Sequence, residues 1–546
     1  MKKKIVALCV AALLACSSMT GCAGNSSSVN SNAESNTASM GASSESGDKM
    51  TISVVGIDWG YGPKSDSAME QYWEKLFDEY LDIQWVNYED YSQKVNTLIA
   101  SGSQPDVTEI YNTNGTYYYS IFTQAIDAGE FLDMTPYING DDGLIKTNAV
   151  MKTWSDSIWK QATYNKGIYI LPRSISDVGK NSGIEVRKDL MEKYGYTDEP
   201  TTMDELNDWL VGLSDAATKG EGQKIYGLDF SGDDFMDDSI KAFAIAFTDQ
   251  TDWAVDKDGN FTYMQFNDKY IDFLNWMKGL YDAGVLDPEF ALGNSDTSDY
   301  KAGNSVAYLN AWYNFNQSAD LTSNKIFDSG TPDTYETWEL LPVKGPEAYT
   351  VSPNYTDIES CIAISSKCSQ DKIDKIMETF NATEETYPGY DTLMSDGIEG
   401  VHYKLLPDGT KDTSDTAMGQ ARQDGYVGAW NQIFLKVNGD KITEKFERTG
   451  TKKSSDEVIQ RAKDVKAFIE SNLQEIGMTN AISNLVSKTY DSQWSAFTDD
   501  VNTMCTQYVM GQIDENDWKD FVSGLVSSDT YKTIQSEFKE AAKNAE

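Results

Sequence analysis

Thr51-Ile52-Ser53-Val54-Val55-Gly56-Ile57, followed by Asp58-Trp59-Gly60-Tyr61-Gly62-Pro63, reads as a short β-rich run that ends in a Gly-rich aromatic loop. Beyond it, Met69, Tyr72, Trp73, Leu76, Phe77 and Tyr80 recur at helical spacing and define one buried stripe. Leu81, Ile83 and Trp85 then alternate as in a strand. A second helical stripe, Tyr91, Val95, Leu98 and Ile99, stops at Gly102, and after Pro105 the run from Val107 to Tyr111 is extended again. The order βαβαβ is the start of a parallel sheet, so the fold class is α/β.

Downstream the same alternation continues. Gly167 to Pro172 reads as a strand, and Arg187 to Tyr194 as a helix. Thr202 is placed to cap a helix whose first turn Asp204 and Glu205 favour through their charge. Helix signals fill Asp268 to Ala283, extended runs recur at Ser305 to Trp312, Trp338 to Val343 and Cys361 to Ser365, and the chain after Asp456 is largely helical. No internal repeat is visible.

Upstream, Lys2, Lys3 and Lys4 precede an apolar run from Ile5 to Cys16 that ends in Ser17 and Ser18, the pattern of a secretory signal. The run is well short of the roughly 20 residues a spanning helix needs. Met19-Thr20-Gly21-Cys22 resembles the bacterial lipobox, so residues 1–21 are expected to be removed and Cys22 to be lipidated. The competing reading is an ordinary signal peptide with a coincidental cysteine, which would leave the mature chain free in solution. Residues 22–49 are mostly Ser, Asn, Ala and Gly, which cannot build a core. As a flexible tether they would reach roughly 25 to 30 Å.

The remaining body of about 500 residues is too large for one core and implies two or more lobes. Acidic residues number 86 against 45 basic, a net charge of −41. Such a surface repels nucleic acid, anionic lipid and polyanions at long range, so membrane attachment is expected through the lipid alone. Of six cysteines only Cys361, Cys368 and Cys505 lie in the body, too few for a disulfide framework. Cys361 and Cys368 could pair or could be buried thiols. His402 is the only histidine, which excludes histidine-based zinc sites; no cofactor and no metal are expected. Asp256-Lys257-Asp258-Gly259-Asn260 has a superficial likeness to a calcium loop, but Gly comes fourth rather than sixth and Asn267 occupies position twelve. The dipeptide Asp258-Gly259 reads better as a hairpin turn.

Several segments, in order, carry a family resemblance: Ala100-Ser101-Gly102-Ser103-Gln104-Pro105-Asp106-Val107, Leu132-Asp133-Met134-Thr135-Pro136-Tyr137, Val186-Arg187-Lys188-Asp189-Leu190, Tyr281-Asp282-Ala283-Gly284-Val285-Leu286-Asp287-Pro288 and Gly397-Ile398-Glu399-Gly400-Val401-His402-Tyr403. The chain resembles the extracellular solute-binding lipoproteins of bacterial ABC importers, in particular the large sugar-binding, Gram-positive type. The resemblance implies a two-lobed, periplasmic-binding-protein-like fold of type II, with mixed sheets flanked by helices and a hinge of crossing strands. Projected onto this chain, the N-terminal lobe takes 50–165 plus 349–415 and the C-terminal lobe takes 166–348 plus 416–546. It also implies a monomer that hands an oligosaccharide to ABC transporter permease subunits.

A sugar ring presents an apolar C–H face and a rim of hydroxyls, so its site needs flat aromatics beside amides, carboxylates or guanidinium groups. Strand ends supply Trp59 and Tyr61, Tyr111 and Asn112, Trp312, Tyr313 and Asn314, and Tyr355 with Asp357. Trp312 stands out through the family resemblance, which implies an aromatic at the end of that strand. Arg173 could fork onto ring hydroxyls or a carboxylate, or hold a hinge salt bridge. Trp430 follows a Gly-containing loop. For each Trp the alternative is burial in the core. His402 follows a turn near the lobe crossover in the family pattern, which implies a structural or hinge role. The expected function is a non-enzymatic receptor for an oligosaccharide, and the acidic surface favours a neutral one. A secreted glycoside hydrolase, or an adhesion or structural lipoprotein, is the alternative.

Overall fold

In β1 (Met50–Asp58) the branched residues Ile52, Val54, Val55 and Ile57 are all buried, as expected of a strand covered on both faces. Ser67 caps α1 (Ala68–Phe77) by accepting the Glu70 N–H at 3.2 Å, and Met69, Trp73 and Phe77 are buried as their spacing predicts, whereas Tyr72 of the same stripe is 44% exposed. Asp78, left-handed at φ 52°, ends that helix and turns the chain into β2 (Glu79–Asn87). Asn87 caps α2 (Tyr88–Ala100), which buries Tyr91, Val95 and Ile99, and β3 (Val107–Ile110) follows. This computed structural model describes residues 49–545 except 61, 112–114, 155, 175–182, 231–234, 236–237, 293–297, 311–334, 351–357, 408, 410, 413–414, 426–447, 450–455 and 473–479. Cys22 and its tether lie outside the described residues.

Later strands that join the two main sheets are β4 (Leu171–Ser174), β5 (Gly183–Arg187), β6 (Ala307–Asn310), β7 (Thr337–Glu339) and β8 (Ile358–Ile364). They build a five-stranded sheet in the order β2-β1-β3-β8-β4 and a three-stranded sheet in the order β6-β5-β7. In the first, β1 is parallel to β2 and β3, and β8 runs antiparallel to β3 and β4. One core packs on the first sheet and draws on residues 52–171 and 358–394. The core of the second draws on residues 184–348 and 465–518. An aromatic cluster of Trp253, Tyr490, Trp494, Tyr531 and Phe538 lies beneath the C-terminal helices. The lobes also meet where Asp491 accepts the Ser120 N–H at 2.7 Å.

Two segments near the projected lobe boundaries pack on the first sheet and its helices. The run read as one strand from Gly167 to Pro172 divides into a hairpin strand, Gly167–Ile168, and β4, so residues 166–174 belong with the first sheet rather than the second lobe. Pro172 fits there because β4 is an edge strand, where a missing N–H is tolerated. The helix Thr416–Gly425 also sits with the first lobe. Asp424 accepts the Lys64 N–H at 2.8 Å and pairs with Lys64 Nζ at 2.7 Å.

Asp106 ties the far end of the first sheet together. Its Oδ2 accepts the Ser53 N–H, the Ser53 hydroxyl and Lys372 Nζ, each at 2.8 Å, and Cys368 Sγ lies 3.3 Å from Oδ1. Cys361, Cys368 and Cys505 are free thiols, so the Cys361–Cys368 pairing does not form. Among the described residues no helix is long and apolar enough to cross a membrane.

Candidate functional site

Three neighbouring parallel strands each hand over to an aromatic residue: Trp59 follows β1, Tyr88 follows β2 and Tyr111 follows β3. Because the strands lie side by side, the rings meet. Trp59 and Tyr88 stack with centroids 4.6 Å apart at 22°, and Tyr111 stands edge-on to both at 5.6 Å. These are the offset and edge-to-face arrangements that ring quadrupoles favour. Tyr88 is 41% exposed, whereas Trp59 and Tyr111 are partly buried against the first core. The shelf therefore sits beyond the carboxyl ends of parallel strands, where open α/β sheets take their ligands.

The loop behind the shelf is pinned by Asp58, whose Oδ1 accepts the N–H groups of Gly60 and Gly62, each at 3.0 Å. Both residues have positive φ, +92° and +61°, which glycine adopts without steric cost. The chain after Trp59 is thereby folded back onto its own strand end. The Trp59 indole Nε1 is buried and finds no hydrogen-bond partner among the described residues.

Arg173 is 6% exposed and donates from Nε to Ser360 Oγ at 3.1 Å. Its charge faces the carboxyl of Glu109, which is wholly buried. Burial pushes Glu109 up to about 7, against the lowering effect of the Ile57 N–H and of Arg173. The guanidinium thus lies within the first sheet, among its own polar partners.

His402 is buried, and its Nδ1 accepts the Ile398 N–H at 2.8 Å. Burial, reinforced by the charge of Arg422, lowers it to about 4. It is a neutral ring closing a turn. The segment 256–260 forms a hairpin between Trp253–Val255 and Phe261–Tyr263, with Asp256 Oδ1 accepting the N–H groups of Asp258 and Asn260 at 2.8 Å. Among the described residues no group of three or more His, Cys, Asp and Glu is disposed to hold a metal ion.

Of the residues singled out from the sequence, Trp59 and Tyr111 come together and Arg173 lies buried against Ser360. Tyr61, Asn112, Trp312, Tyr313, Asn314, Tyr355, Asp357 and Trp430 lie outside the described residues. Sequence reasoning missed Tyr88. The signal was present, since Tyr88 follows a strand end as Trp59 and Tyr111 do, but the second helical stripe begins only at Tyr91 and leaves the first residue of α2 unread.

The family model of bacterial extracellular solute-binding proteins matches residues 59–371. Over 515 residues the chain is 22% identical to the polygalacturonan/rhamnogalacturonan-binding protein YtcQ of Bacillus subtilis, covering 91% of this chain and 92% of that protein. It is 21% identical over 538 residues to lipoprotein LipO of the same organism, covering 96% and 95%. Among solved structures, an HMO-binding, ABC-transporter-associated solute-binding protein from Bifidobacterium longum infantis superposes with a TM-score of 0.62 at 14% identity, covering 91% of this chain and 99% of that one. With a family match spanning more than half its length and a fold shared nearly end to end, the chain belongs to the bacterial extracellular solute-binding proteins.

Proposed function

We propose that this protein captures a neutral oligosaccharide outside the cell and delivers it unaltered to the permease subunits of an ABC importer. The observation that carries the reading is the aromatic shelf of Trp59, Tyr88 and Tyr111 at the ends of three adjacent strands. Flat rings suit the C–H face of a sugar, and the partly exposed Tyr88 offers both a ring and a hydroxyl. Relatives whose names specify glycans support the same class of ligand.

Neutrality follows from charge. The chain carries −41 overall, and Arg173, the guanidinium singled out from the sequence, is buried at 6% exposure. A second reading, an acidic galacturonan, is favoured by the likeness to the polygalacturonan/rhamnogalacturonan-binding relative. Thermal unfolding with xylo-, manno-, galacto- and gluco-oligosaccharides, and separately with oligogalacturonates, decides between them. At 100 times its dissociation constant a true ligand adds about 2.7 kcal/mol of stability. The neutral set is expected to raise the midpoint by a few degrees; stabilisation by oligogalacturonates alone replaces this reading with the second. Release of new reducing ends during incubation would identify a hydrolase instead.

Anchoring through a diacylated Cys22 completes the proposal, since a tethered receptor is held at high effective concentration near its permease. Cys22→Ala is expected to move the protein from the membrane fraction to the medium. Retention of the variant on membranes would show that something other than this lipid holds it.

A further inference from the structure

The ladder between β1 and β3 has two register pairs, Val54 with Val107 and Val55 with Thr108, whereas β1 stays paired with β2 as far as Asp58 and Asn87. In a parallel ladder of this register, the next rung would carry the Ile57 N–H to the main-chain carbonyl of Glu109. The ladder stops one rung short, and side chains meet both halves of that rung. The Glu109 carboxylate accepts the Ile57 N–H at 2.9 Å. The Tyr91 hydroxyl lies 2.8 Å from the Glu109 carbonyl and 3.2 Å from the Val55 carbonyl. Glu109 is fully buried and Tyr91 is 2% exposed, so bulk solvent does not reach these bonds. The two strands part just before the residues that carry Trp59 and Tyr111.

We propose that Glu109 is the positioning residue of the aromatic shelf: its carboxylate holds Ile57 in place of the missing rung, so ligand affinity follows the ionisation of that one group. The inference rests on the shelf being the sugar platform. A charged acceptor holds an N–H more strongly than a neutral one, and a shelf held in place loses less freedom when it binds. The groups facing Glu109 are Arg173 from β4, Tyr91 from α2 and Cys361 from β8, while β1 presents a main-chain N–H. Burial drives the Tyr91 hydroxyl and the Cys361 thiol well above their ordinary values, so neither ionises in the range where Glu109 does. With Glu109 itself pushed to about 7, the change falls near neutrality. Above that value the carboxylate is charged and the shelf is held. Below it the group is neutral and the hold weakens.

The test is calorimetric titration at pH 6 and pH 8 with tetrasaccharides of xylose, mannose, galactose, glucose and galacturonic acid, following whichever binds most tightly. The wild-type dissociation constant is expected to rise about fivefold from pH 8 to pH 6, as for exchange of a charge-assisted hydrogen bond for a neutral one. Glu109→Gln should give the same value at both pH values, and Tyr111→Ala should bind weakly at both. If Tyr111→Ala binds as tightly as wild type, or none of the five binds, the platform reading falls and this inference with it. If Tyr111→Ala is weak but wild type is insensitive to pH, or Glu109→Gln keeps the wild-type slope, the inference about Glu109 alone is overturned. Should Glu109→Gln not fold, Arg173→Gln carries the test: loss of that cation must move the inflection to higher pH, and an unmoved inflection overturns the proposal.

Discussion

Tyr111→Ala lowers affinity for the bound oligosaccharide by about 30-fold, and Tyr88→Ala by a similar factor, as expected when a central aromatic anchor worth about 2 kcal/mol is truncated. The reason is geometric. Tyr111 stands edge-on to both Trp59 and Tyr88, so its removal takes away one wall of the shelf and frees the other two rings to shift. Tyr88 is 41% exposed and contributes its outer face. Tyr88→Phe separates the ring from the hydroxyl: retained affinity assigns the effect to stacking, and a partial loss assigns part of it to a hydrogen bond. Calorimetry provides the measurement and circular dichroism the control for folding. Alanine variants that bind within twofold of wild type would rule out the shelf as platform.

Asp106→Ala costs about 3 kcal/mol of folding stability, read from chemical denaturation. One carboxylate receives the Ser53 N–H and hydroxyl, Lys372 Nζ and the Cys368 thiol, and removing it strands all four groups in a half-buried setting. Burial alone would raise the Asp106 pKa, but Lys372 and Ser53 outweigh it and hold the carboxyl below its ordinary 3.8. Because the folded value lies below the unfolded one, the contribution is complete above the unfolded value and is lost as pH falls through the folded one. The gap between wild type and Asp106→Asn should therefore be constant from pH 7 to 5 and close only in stronger acid. A gap that closes nearer neutrality would show that Asp106 is not the group responsible.

The first lobe was largely legible because its signals are local. Alternation located β1, β2 and β3, and helical spacing located α1 and α2, since each strand and stripe is decided by neighbours a few residues away. Trp59 and Tyr111 were legible for the same reason, as aromatics at the ends of readable strands. Tyr88 was not, because it opens α2 directly after β2, ahead of the stripe of Tyr91, Val95, Leu98 and Ile99 that marks the helix. Glu109 was less accessible still. Within Val107-Thr108-Glu109-Ile110 it resembles a solvent-facing residue of an ordinary strand, and its partners Ile57 and Arg173 are brought to it only by sheet order. The same holds for β4, whose membership in the first sheet depends on pairing with β8 almost two hundred residues later.

The shortness of the β1–β3 ladder has a mechanical consequence. Trp59 and Tyr88 ride on two strands bonded along their full shared length, whereas Tyr111 belongs to the other side of a seam closed by two register pairs and two side chains. Local opening is least costly where backbone bonding is sparsest. The shelf is therefore compliant in one direction only: it resists shear between Trp59 and Tyr88 but yields to a load that spreads Tyr111 from them. If the shelf is the sugar platform, a sugar with one additional substituent would meet a low elastic resistance there, and the protein would accept related cargo in a graded way rather than as a fixed mould.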